Sequence, residues 1–126
     1  MVVPSVLFFH IPVPEFDDAW KAYQEGNSDA IYLSGDKREE VCCPKINSGL
    51  FSKIKELNSS KAILVGHDHI NDYVIKYQDV YLSYGIHSTN RIYYDEDLLG
   101  GRLFTIHPDH TYSFETILHH YSEVIQ

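Results

Sequence analysis

Two short apolar runs that each end in a histidine constrain this chain more than any other feature of it. "VLFFH" at residues 6–10 and "AILVGH" at residues 62–67 each carry four consecutive apolar side chains, the pattern of a strand covered on both faces in an α/β sheet. Pro4, Pro12 and Pro14 bound the first run, which suits a strand from Val6 to Phe9, buried on both faces and ending at His10. In the second, Gly66 lets the backbone bend with no Cβ in the way, and His67-Asp68-His69 follows at once. Ligand and metal sites of open α/β sheets collect just past the carboxyl ends of the strands. The two runs therefore either end in ordinary polar loops or deliver histidines to a metal.

The rest of the pattern supports one mixed α/β unit. In "PEFDDAWKAYQEG", Pro14 fits the first helical position and Glu15, Asp17 and Asp18 complement the dipole of the first turn. Phe16, Trp20 and Tyr23 share a face, and Gly26 stops the helix. Residues 27–46 are irregular and read as a long surface loop with one short strand at Ala30 to Leu33. Asn47 or Ser48 can cap a second helix reaching Leu57, with Leu50, Phe51, Ile54 and Leu57 along one side and Asn58 closing it. After the histidine loop, "YVIKY" and "VYLSYG" flank Gln78-Asp79, and "GRLFTIHP" and "TYSFETILHHY" flank a Pro-Asp-His turn. Both read as antiparallel hairpins extending the sheet.

A length of 126 residues suits a single domain, 1–126, able to bury a core without disulfides. The formal charge of −8 repels nucleic acid and anionic membrane surfaces, and no Lys/Arg cluster overrides it, so neither partner is expected. Should the substrate be a phosphate, its positive counter-charge has to come from bound metal. Cys42 and Cys43 are adjacent, where a bridge would be strained, and read as reduced thiols. The opening residues show neither a cationic leader nor an apolar span. A Gly-rich phosphate loop and a Gly-x-Ser-x-Gly nucleophile elbow are both missing from the sequence.

Among the eight histidines, His10, His67 and His69 are the candidate ligands, because two strand ends repeat the same arrangement. Asp72 is placed to orient a ligand imidazole from behind, against the plainer role of a loop cap. His87 lies in a polar loop that could border the site. His107, His110, His119 and His120 sit in or beside the terminal hairpin and read as surface residues.

"FFHIPVPEF", "VCCPKINSGLFSKI" and "VGHDHINDY", in that order and spacing, resemble the C-terminal half of calcineurin-like metallophosphoesterases, nearest the subgroup like purple acid phosphatases. The likeness covers residues 5–85 and more loosely "GGRLFTI". It implies half of an αββα sandwich: one sheet with flanking helices and terminal hairpins. It also implies that His10 and His67 bind one ion and His69 the other in a dinuclear centre of Zn, Mn or Fe. Such a centre hydrolyses phosphate esters by clamping the phosphate and lowering the pKa of a bound water.

The family's Asp-x-His, its bridging Gly-Asp and its Gly-Asn-His-Glu or Gly-Asn-His-Asp do not occur in suitable places. "SGDK" at residues 34–37 falls on the wrong side of the motif order. Three imidazoles without those carboxylates leave two ions short of ligands and charge. The resemblance therefore implies a half-site, inactive alone, whose sheet has a bare face suited to self-association or to pairing with the missing N-terminal half. The alternatives are a non-catalytic self-associating or metal-binding half-domain, and an unrelated α/β domain with two histidines in a polar loop.

Overall fold

The computed structural model describes residues 2–119. Strand β1 (Ser5–Phe8) leads into helix α1 (Glu15–Gln24), then β2 (Ala30–Ser34), α2 (Leu50–Leu57), β3 (Ser60–Val65), β4 (Val74–Tyr77) and β5 (Val80–Tyr84). A 3-10 turn (Glu96–Leu98) precedes β6 (Gly100–Ile106) and β7 (Tyr112–Leu118). The first five strands form one mixed sheet in the order β1-β3-β5-β4-β2, with β1, β3 and β5 parallel and β4 and β2 antiparallel to their neighbours. The mixed α/β class expected from the sequence is the one observed.

One sheet face carries the helices. Phe16, Ala19 and Ala22 of α1 and Phe51 and Ile54 of α2 pack on Ile63, Val65, Ile75, Leu82 and Tyr84, with Tyr73 among them. Helix α1 starts behind Pro14, whose dihedrals are already helical, and Asp17 pairs with Lys21 one turn on at 2.6 Å. Gly26, at φ +73°, ends it by donating to the Tyr23 carbonyl. Helix α2 departs from expectation at its start: Gly49, not Asn47 or Ser48, is the N-cap. Asn47 instead accepts from the Gly49 N–H at 2.9 Å and donates to buried Glu15 at 2.8 Å, tying the two helix starts together. Asn58 closes α2 in the left-handed region as expected, whereas Leu57 is 54% exposed and belongs to the solvent side.

Two further expectations need correction. Strand β1 is not buried on both faces: it is the sheet edge, bonded only to β3, and Phe8 is 67% exposed. An apolar run records a preference for burial, not the number of neighbours available to supply it. The second face of the sheet is not bare over the central strands. The β6–β7 hairpin is a separate two-stranded sheet and does not extend the first. It lies against that face, where Tyr81 meets Tyr112 and Phe114 and Phe8 meets Phe104, and Ala62, Leu64, Val74 and Ser83 are buried. Arg102 pins the hairpin by donating to the backbone carbonyls of Tyr84 and Asp72. The tighter hairpin turns at Gln78 and Asp79, both at positive φ as a two-residue turn requires.

Gly35 holds the long loop against the core. At φ +87° a Cβ there would stand 2.3 Å from the Asp72 carbonyl oxygen, whereas one at Gly26 would meet nothing within 4 Å. Gly35→Ala should therefore cost about 2 kcal/mol or more and Gly26→Ala about 1 kcal/mol, the conformational term alone. Urea unfolding of the two variants measures the difference.

Candidate metal centre

The three parallel strands β1, β3 and β5 finish at one edge of the sheet, and the residues just past them form the site. Beyond β1 the ladder continues: Phe9 donates to the Leu64 carbonyl at 3.1 Å, and Gly66 donates to the His10 carbonyl at 3.0 Å. That register sets His10 against Gly66, where a Cβ would lie 3.4 Å from the imidazole Nδ1. Gly85, past β5, donates to the Val65 carbonyl at 2.7 Å and brings in Ile86 and His87. His10, His67, His69 and His87 all line one cavity of about 370 Å³.

His67 turns back in the left-handed region at φ +71°, a conformation that costs a non-glycine residue on the order of 1 kcal/mol and collects at functional sites. The turn sets His67 Nδ1 3.3 Å from His10 Nε2, with the rings nearly perpendicular. Two nitrogens bound to one tetrahedral ion at about 2.1 Å are roughly 3.4 Å apart. The two nitrogens, hydrogen-bonded to each other here, stand at the separation that two imidazole ligands of one such ion require.

His69 is held differently. Its ring is stacked between His87 at 4.1 Å and Tyr93 at 4.2 Å, and its Nδ1–H donates to the Tyr93 carbonyl at 2.9 Å. A carbonyl only accepts, so this bond selects the tautomer whose Nε2 lone pair is free, the usual arrangement behind a metal-binding histidine. Burial and the neighbouring His69 hold His87 below its ordinary range, favouring the neutral ring. Tyr93, pushed up to about 12 by burial and by its bond to Glu39, stays protonated and donates to that carboxylate at 2.9 Å.

The orienting role expected of Asp72 falls elsewhere. The Asp72 carboxylate accepts from the Asp36 N–H at 2.6 Å, a loop-capping bond. Histidine-orienting work is done by the Tyr93 backbone, and a main-chain carbonyl leaves no trace in side-chain patterns. The long loop wraps the histidine loop: Arg38 and Glu39 N–H groups both donate to the Asn71 side chain, and Glu39 accepts from the Ile70 N–H.

Asp68, the spacer in Gly-His-x-His, carries no signal in the sequence that marks it as part of the site. It is 4% exposed, and its Oδ2 accepts from the Tyr84 hydroxyl and from Asn71. The Cys42 N–H lies 3.3 Å from both its oxygens. Partial desolvation and the Asp68 charge push the Cys42 thiol up, and burial first of all pushes up the Tyr84 hydroxyl. Cys42 and Cys43 are both free, as expected. His107 is half-buried and His110 exposed, and His119 donates its backbone N–H to the Leu99 carbonyl; His120 lies outside the described residues. No helix among the described residues is long and apolar enough to cross a membrane.

The chain is similar to the probable inactive purple acid phosphatase 14 of Arabidopsis thaliana, 35% identical over 81 residues, covering 64% of this chain and 18% of the relative. Probable inactive purple acid phosphatase 29 of the same plant is 31% identical over 84 residues, covering 67% and 20%. Phosphatase DCR2 of Saccharomyces cerevisiae is 36% identical over 72 residues, covering 57% and 12%. No family model and no solved structure matches. The chain is thus similar to a segment of these purple-acid-phosphatase-like proteins. It spans about a fifth or less of the length of the relatives it matches.

Because the Tyr84 hydroxyl bonds a buried carboxylate, Tyr84→Phe should lower stability by about 1–3 kcal/mol without changing the fold. The shift of the denaturation midpoint reads this out, and an unchanged midpoint would show that the bond contributes nothing.

Proposed function

We propose that this chain contributes His10, His67 and His69 to a metal-dependent phosphoesterase site whose carboxylate ligands come from polypeptide outside this sequence. The observation that carries the reading is the 3.3 Å His10–His67 pair, built by two neighbouring parallel strands. The purple-acid-phosphatase-like relatives supply the class of substrate, a phosphate ester. His10 and His67 would hold one ion and His69, through Nε2, a second. The ions, when bound, would bind the phosphate and acidify a water. Tyr93 and His87 keep the His69 ring oriented, and the αL turn at His67 keeps its nitrogen toward His10. A chain of charge −8 has little cation of its own for a phosphate, so the ions would carry that affinity.

A second reading, a half-domain that self-associates without catalysis, is favoured by the open β1 edge and by Phe8 at 67% exposure beside it.

The chain alone should show no hydrolysis of p-nitrophenyl phosphate in the presence of Zn, Mn or Fe. Mixing with a phosphoesterase N-terminal half that carries the missing aspartates should restore activity and two metals per complex by elemental analysis. Both should fall to background in His10→Ala. A complex that assembles yet holds no metal, or one that His10→Ala leaves active, would overturn the reading, and a stable metal-free homodimer of the chain would favour the second.

A further inference from the structure

His67 also belongs to a second set of donors. Cys42 Sγ, a ring nitrogen of His67 and a carboxylate oxygen of Asp68 are all within 4.8 Å of one another. Thiolate, imidazole and carboxylate form a recognised ligand set for a soft or borderline divalent ion, whose donors stand roughly 3.3–3.6 Å apart when it is four-coordinate. Small side-chain movements bring these three to that spacing.

An independent observation points to a cation here. Asp68 is buried, yet its hydrogen-bond partners are all neutral: the Tyr84 hydroxyl, the Asn71 amide and the Cys42 N–H. Among the described residues it takes part in no ion pair. A buried carboxylate without a counter-charge carries a large desolvation cost that a metal ion would offset. Its oxygens are also unequal. Oδ2 is taken by Tyr84 and Asn71, whereas Oδ1 accepts only the long bond from the Cys42 N–H and so keeps acceptor capacity. Ligating carboxylates are commonly held in this way through the oxygen that does not bind. Cys42 itself is exposed, so an ion can reach the group from solvent.

We propose that this chain by itself binds one thiophilic divalent ion, such as Zn²⁺, through Cys42, His67 and Asp68, with solvent completing its coordination. The inference goes beyond the phosphoesterase reading and does not rest on it, since neither His10 nor His69 takes part. His67 belongs to both groups, so an ion held by Cys42 and Asp68 engages a ligand that the phosphate site also requires.

Co²⁺ titration of the reduced, chelator-stripped full chain tests this, with every variant made on a Cys43→Ser background so that one thiol remains. Thiolate-bound cobalt absorbs in the near ultraviolet, and cobalt held by imidazole and carboxylate alone does not. One equivalent of Co²⁺ should produce the thiolate band. The band should disappear in Cys42→Ser and in Asp68→Asn and persist in His10→Ala, with circular dichroism confirming that each variant is folded. Cobalt bound without the band, or a band surviving Asp68→Asn, overturns the proposal, as does a chain that binds no cobalt. Binding without the band that is lost in His10→Ala overturns it while leaving the phosphoesterase ligands in place, so the two readings fail separately.

Discussion

The hydrogen bond from the Gly66 N–H to the His10 carbonyl is the constraint on which the site depends. It carries the parallel ladder of β1 and β3 past the end of the strands, where pairing usually stops, and thereby holds two polar loops in register. With the backbones fixed, the His10 ring lies on the glycine and the αL turn of His67 returns its nitrogen to the same point. The same ladder on the other side, from Gly85 to Val65, adds the β5 loop and His87. The donors are thus placed by main-chain bonds on a packed sheet, which is how a site is kept in shape without help from a ligand.

A second layer of polar contacts surrounds those donors, and it comes from segments far apart in sequence. Asn71 gathers the Arg38 and Glu39 N–H groups, Glu39 joins Ile70 and Tyr93, and Arg38 reaches Asp95 at 2.6 Å. These bonds tie the irregular loop after β2 and the acidic segment before β6 to the histidine loop between them. Exposed ion pairs such as Arg38–Asp95 contribute little individually. Bonds to buried Asn71 and Asp68 matter more, because losing a partner leaves a polar group stranded out of water.

Much of this was legible in the residues. The apolar runs, the Pro14 and Gly26 boundaries of α1, the two hairpins and the strand-end histidines all rest on local chemistry that acts within a few residues. The errors share one cause. Burial of β1 on both faces, the Asn47 or Ser48 cap and the inward Leu57 each depended on which distant segment would arrive beside them. Asp68 belongs with these: nothing in its local sequence sets it apart from a solvated loop charge, and only the fold places Tyr84, Asn71 and Cys42 around it.

The sequence by itself determined the elements, their class and the residues capable of binding metal, because helix, strand and turn preferences and donor chemistry are properties of short stretches. The tertiary structure alone decided which donors meet. Strand order is set by the packing of whole faces, and it was the adjacency of β1, β3 and β5 that joined His10 to His67. The fold of the long loop likewise put Cys42 beside Asp68, and stacking on Tyr93 and His87 oriented His69.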